Sequence, residues 1–396
     1  MFCISVFCRI ALNSQLIVGF GLATERIYMI GQGIFFSRSI RNYFIWFLLL
    51  CCSANSWANK VISADNENYL YSGRIDFSQP KNPEISWPGT SIKANFTGSY
   101  LALVLEDDLG KNYFNVIIDN DDSAPYVLEA KQGEATYVIS TALTNTSHSV
   151  EIYKRTEGEE GASYFKGIVI DDNASILAPP ARPNRRIEIF GDSITSGMGN
   201  EGADNGADHL GAEKNNYLAY GAIAARALNA ELHTISQSGI GVMISWFDFI
   251  MPQFYDQLSA VGNNNSQWDF STWTPDVVLI NLMQNDKWLI DNEKRLQPIP
   301  SDKERIAYYQ NFVAKIRALY PQAQLICALG SMDATQNNKW PNYVSQAVAN
   351  MHQAGDKKVH TLFFEFTGYG QHPRVAQHKD NATKLVAFIR EKMNWQ

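Results

Sequence analysis

The chain of 396 residues is 45% hydrophobic and 18% charged, which excludes a disordered or fibrous protein and exceeds what one hydrophobic core normally serves. Its formal charge of −7 is spread without a strong basic run beyond the N-terminal segment, so nucleic acid has no footing as a partner.

Residues 1–58 read as an extension ending in an export signal. Arg38 and Arg41 precede the apolar run 43–50, which is shorter than the roughly 20 residues that span a bilayer, and small residues follow up to Ala58. A cut near Ala58 predicts a secreted or periplasmic chain with no integral membrane segment. A lipid anchor on Cys51 or Cys52 is the weaker alternative, because neither sits in a convincing lipobox. Cys3, Cys8, Cys51 and Cys52 all lie in this segment. Cys327 remains, inside the apolar run 325–329, and reads as a buried strand residue; stability must come from packing and not from a disulfide.

Over 59–178 the pattern is that of short strands. Segments 91–96, 100–105, 113–118, 135–139 and 148–154 are strand candidates, with Gly, Asn and Asp between them. Such strands predict two antiparallel sheets packed face to face, a jelly-roll-like β-sandwich. Residues 179–185 form a linker, since Pro179, Pro180 and Pro183 exclude regular ladder or helix bonding around them.

The period changes over 186–396. Apolar strands at 187–190, 232–236, 277–282, 325–329 and 359–366 alternate with helices at 217–228, 303–319, 343–354 and 376–393. Alternation with nearly continuous apolar strands predicts a mostly parallel sheet covered by helices on both faces, with ligands outside the carboxyl ends of the strands.

The chemistry-bearing residues fall at those strand ends. The first strand runs into Gly191-Asp192-Ser193, where a serine on a turn can present its hydroxyl near free N–H groups. On Gly-Asp-Ser alone, a turn or N-cap serine explains the residue equally well. The second strand is followed by a glycine loop containing Gly239 and Gly241, the third by Met283-Gln284-Asn285-Asp286, and the last by a loop ending in His372-Pro373. A serine nucleophile, a histidine base and donors from Ser193 N–H, Gly241 N–H and the Asn285 amide are the ingredients of acyl transfer through an oxyanion.

The other candidates have competing structural readings. Asp192 and Asp286 suit anchors of their turns. Trp288 and Trp340 follow strand-end loops and could stack on a sugar or pack in the core; Trp246 and Phe247 divide the same way, with packing favoured. Trp87 reads as structural. The histidines are scattered and form no metal site, and His378, at the start of the last helix, is expected on the surface. Residues 204–208 (DNGAD) have calcium-loop composition without the remaining ligands. No metal or organic cofactor is expected.

Gly191-Asp192-Ser193, the Gly239/Gly241 loop, Asn285-Asp286 and His372-Pro373 resemble the SGNH (GDSL-type) hydrolases. Residues 68–74 (NYLYSGR), 87–92 (WPGTSI) and 151–157 (EIYKRTE) are similar to the N-terminal sandwich of carbohydrate esterase family 2. The resemblance spans nearly the whole chain after the signal. It implies a two-domain protein, a β-sandwich followed by an α/β/α SGNH-hydrolase domain, that removes O-acetyl groups from xylan, glucomannan or related glycans through an acetyl-serine. It makes Ser193 the nucleophile, His372 the base, and Gly241 and Asn285 oxyanion positions, with Gly239 the lesser candidate. Tyr369 stands where the superfamily carries an aspartate three residues before the histidine, and Gly370 and Gln371 offer no replacement. A backbone carbonyl orienting His372 in a Ser–His dyad is therefore expected, with Glu365 and Asp333 as distant alternatives. Met283 replaces the usual glycine before Asn285 and is expected to line the pocket, as are Gly239, Trp288, Trp340, Tyr369 and Gln371. A lipase or thioesterase on the same scaffold, or a carbohydrate-binding protein whose catalytic half has decayed, would share these residues.

Overall fold

The computed structural model describes residues 59–366, 368 and 372–396, and its first half is built from antiparallel strands. In chain order these are β1 (Asn59–Ser63), β2 (Leu70–Ser72), β3 (Glu84–Ile85), β4 (Ser91–Gly98), β5 (Leu101–Asp107) and β6 (Tyr113–Ile118). They continue with β7 (Tyr126–Glu129), β8 (Gly133–Ser140), β9 (Thr146–Lys154), β10 (Ser163–Asp171) and β11 (Ile176–Leu177). One sheet runs β1-β10-β5-β8 with β3 beside β10, and the other β11-β4-β9-β6-β7 with β2 beside β4. Strand β4 shows why they pack: Ile92, Ala94 and Phe96 are buried while Lys93, Asn95 and Thr97 alternate toward solvent.

Strand β10 is absent from the expected set although it is central to its sheet. Gly167 breaks its alternation at a register shift, with φ at +137°, and a Cβ there would lie 2.0 Å from the Ile62 carbonyl oxygen. The glycine is required by close approach of the neighbouring backbone, which a hydrophobic pattern does not register.

The second half carries five parallel strands, β12 (Arg185–Gly191), β13 (Ala230–Ser236), β14 (Val277–Asn281), β15 (Gln324–Leu329) and β16 (Val359–Phe363), in the order β13-β12-β14-β15-β16. Its helices are α1 (Ser193–Ser196), α2 (Tyr220–Ala227), α3 (Met251–Phe254), α4 (Gln284–Lys287), α5 (Asp302–Leu319), α6 (Lys339–Gln353) and α7 (Val375–Met393). Ile187, Ile189, Val277 and Leu279 pack against α2 and α7, while Phe190, Val278, Ile280 and Cys327 pack against α5 and α6. Burial on both faces explains the unbroken apolar strands. The chain order reverses beside β12, so the crevice at the carboxyl end of β12 is where such a sheet binds ligands.

The sandwich is keyed into this second half. Trp87 joins the core beneath α5 and α6 and donates its indole N–H to the Leu258 carbonyl at 2.7 Å. Arg74, fully buried, pairs with Glu188 of β12 at 3.0 Å and donates to the carbonyls of Tyr255 and Gln257. The expected export signal and four of the cysteines fall on residues 1–58, outside the described residues. No helix among the described residues is long and apolar enough to cross a membrane.

Candidate active site

Strand β12 delivers its last residue, Gly191, to a turn too tight for a side chain, since a Cβ there would lie 2.0 Å from Thr195 Oγ1. Asp192 caps the following single-turn helix α1 by accepting the Ile194 N–H at 3.0 Å, the anchoring role expected of it. Burial pushes its pKa up to about 7 against that hydrogen bond. Ser193, 4% exposed, opens α1, and its own N–H has no acceptor among the described residues.

From the far end of the domain, His372 turns Nε2 to Ser193 Oγ at 2.7 Å. Its Nδ1 lies 2.9 Å from Asp208 Oδ2, which also accepts the His372 backbone N–H at 3.0 Å. The expected backbone carbonyl is thus replaced by a carboxylate, and the pair becomes a serine–histidine–aspartate series. Neither distant alternative reaches His372. Glu365 has a 93% exposed side chain near Lys384, and Asp333 is bound to Gln284 and Lys287. Asp208 belongs to the DNGAD segment and is held there by Arg374, which donates to Asp208 Oδ1 at 2.6 Å. Partial burial raises the Asp208 pKa, but hydrogen bonds from His372 and Arg374 outweigh it and hold the group at about 2.

The donor set also differs from expectation. Gly241 N–H is taken by Ser245 Oγ at 3.0 Å, so Gly241 is not available to an oxyanion. Gly239 N–H has no acceptor among the described residues, and Gly239 sits at φ +85° with a Cβ position only 3.2 Å from Trp246. The free donor on this loop is therefore Gly239. Asn285 spends one amide hydrogen on the Ile240 carbonyl at 2.9 Å and retains another. Asp286 accepts N–H groups from Val242, Met243 and Ile244, fixing the loop downstream, and burial lifts its pKa to about 6 against those bonds.

Met283 does not line the pocket. It is fully buried in the α5/α6-side core, at φ +87°, a left-handed backbone that glycine adopts without strain and a residue with a Cβ does not. Trp340 is likewise removed from any sugar: it is 1% exposed and donates to Asp291 at 2.9 Å. Trp246 reverses its expectation, being 46% exposed beside Gly239, while Phe247 is partly buried against the core; Trp288 is 39% exposed. His378 is buried, not on the surface, and accepts the Tyr220 N–H at 3.1 Å. Tyr369 and Gln371 lie outside the described residues.

A parallel sheet in this strand order, with a serine, histidine and carboxylate in hydrogen-bonded series at its carboxyl end, defines a hydrolase of the GDSL class. The family model described as GDSL-like Lipase/Acylhydrolase matches residues 189–388, and that described as Carbohydrate esterase 2 N-terminal matches residues 71–180. The chain belongs to carbohydrate esterase family 2. It is 33% identical over 342 residues to the cellulase/esterase CelE of Acetivibrio thermocellus, matching 84% of this chain but 40% of CelE's length. An acetylxylan esterase/glucomannan deacetylase of Cellvibrio japonicus is 28% identical, with 81% of this chain and 90% of that protein covered. The structure of a family two carbohydrate esterase from Clostridium thermocellum in complex with cellohexaose matches with a TM-score of 0.75 and 31% identity, over 83% of this chain and 100% of that one.

Proposed function

We propose that this protein is a secreted or periplasmic serine esterase that removes O-acetyl groups from plant-type polysaccharides or oligosaccharides such as xylan and glucomannan. The observation that carries this reading is the Ser193–His372–Asp208 series, together with two N–H groups, of Ser193 and Gly239, that have no acceptor among the described residues. The activity named for the Cellvibrio relative supports the substrate, and the basic-apolar-small pattern before Ala58 supports export.

In the proposed reaction Ser193 Oγ bonds to the acetyl carbonyl carbon as His372 Nε2 takes its proton, and Asp208 steadies the resulting imidazolium. The oxyanion is received by Ser193 N–H, Gly239 N–H and the free amide hydrogen of Asn285. Collapse breaks the bond to the sugar oxygen, which leaves with the proton from His372. Water then attacks the acetyl-serine by the same route, releasing acetate. Trp246 and Trp288, both exposed, are the aromatic surfaces offered to the sugar.

The test is acetate release from acetylated xylan, acetylated glucomannan and an aryl acetate, with hydrolysis of a long-chain aryl ester measured alongside. Ser193→Ala should abolish release from all three while the protein stays folded. An active Ser193→Ala variant, or a marked preference for long acyl chains, would overturn the reading.

A further inference from the structure

Glu157 sits in the connection between β9 and β10, on the sandwich side of the molecule, and is 1% exposed. Its carboxylate leaves the sandwich altogether. Oε2 accepts Ser196 Oγ at 2.7 Å and the Ser238 backbone N–H at 2.6 Å. Oε1 accepts Ser238 Oγ and faces Lys214 Nζ at 3.3 Å. Ser196 closes the helix that Ser193 opens, and its hydroxyl also meets Ser236 Oγ at 2.8 Å. Ser238 immediately precedes Gly239. One carboxylate therefore grips both segments that carry the free N–H groups of the site.

Taking a carboxylate out of water is costly, and replacing such a group with apolar packing is often neutral or better for stability. What apolar packing would not do is hold two loops to a common point. Asp286 fixes the glycine loop downstream of Gly239, through the N–H groups of residues 242–244; Glu157 fixes it upstream, at Ser238. Burial raises the Glu157 pKa, but the Lys214 charge and the hydrogen bonds from Ser238 and Ser196 outweigh it and keep the group ionised. Lys214 also offsets a negative charge that would otherwise oppose an oxyanion nearby.

We propose that Glu157 is a positioning residue for the esterase reaction: it sets the spacing between the Ser193 and Gly239 N–H groups, and so makes the sandwich part of the catalytic apparatus. This inference rests on the serine-esterase reading above. Donors displaced by a fraction of an ångström lose much of their value in the transition state while ground-state binding changes little.

The test compares Glu157→Gln with Glu160→Gln, both partners of Lys214, of which only Glu157 touches Ser196 and Ser238. Active sites are counted with a serine-reactive phosphonate ester, and kcat and KM on an aryl acetate are expressed per titrated site. Glu157→Gln should lower kcat roughly 10- to 100-fold with KM within about threefold. Glu160→Gln should stay within about threefold of the parent in both. If Glu157→Gln does not fold, Ser238→Ala and Ser196→Ala each remove one grip and should lower kcat per site about three- to tenfold. A kcat per site equal to the parent's, in Glu157→Gln or in both serine variants, overturns the proposal. A Ser193→Ala control that retains activity would sink the esterase reading itself, and the two failures are distinguishable.

Discussion

At the residue scale the decisive side chain is Asp208. It reaches His372 from the loop that follows Ser193, and Arg374 holds that loop by donating to the carbonyls of Gly199, Ala203 and Gly206. An amide at this position would present the wrong atom, or favour the wrong tautomer of the imidazole, without moving the loop. Asp208→Asn is therefore expected to lower kcat about 10³- to 10⁴-fold at pH 7–8. The measurement is steady-state hydrolysis of an aryl acetate. A loss below about fivefold would mean that a backbone carbonyl does the orienting after all. Ser193, Asn285 and His372 stand out in the sequence because each lies within a few residues of a strand's end or a helix's start, in a recognisable block. Asp208 is not, because contact across 164 residues leaves no spacing to read.

At the element scale, the turn from β14 into α4 sets backbone strain against packing. Met283 holds a left-handed backbone, which costs a residue with a Cβ about 1–2 kcal/mol, yet its side chain fills the core. Removing a buried methionine side chain costs about 2–5 kcal/mol. Packing wins by this comparison, so Met283→Gly should be destabilised by about 1–3 kcal/mol despite relieving the backbone. Urea unfolding would measure it; a variant more stable than the parent would mean that backbone strain outweighs the packing. Trp340 illustrates the same limit on sequence reading. A tryptophan after a strand-end loop suits either a sugar platform or a core, and only its burial, with the indole N–H bound to Asp291, decides.

At the scale of the whole molecule, buried ionisable groups pull the pH dependence of stability in two directions. Burial holds the pKa of His378 at about 3 and that of His233 well below 6.5. The unfolded chain protonates these histidines first, so stability is lost as pH falls below about 6.5. Asp192, at about 7, and Asp286, at about 6, act oppositely. Their folded forms keep protons that the unfolded chain releases above about 4, so each recovers stability as pH falls from 7 to 4. Below pH 4 the balance ends. Asp208, held at about 2, and Glu157, also lowered, give up stability present above their unfolded values. A shallow Tm profile from pH 7 to 4 and a steep fall below it are expected by scanning calorimetry. Asp208→Asn should soften that acid limb. A steep fall already between pH 7 and 5 would show that the histidines dominate.

The sequence by itself determined the two fold classes and the family resemblance, and it singled out the strand ends where Ser193 and His372 lie. These are local properties: alternation of period two, unbroken apolar runs, and short blocks at the ends of elements. Only the tertiary structure decided which carboxylate meets His372, which glycine N–H stays free, and which aromatics reach solvent. It also revealed that Glu157 of the sandwich bridges Ser196 and Ser238. Each of these depends on partners distant in the chain competing for the same polar atom, and that competition is settled only when the elements pack.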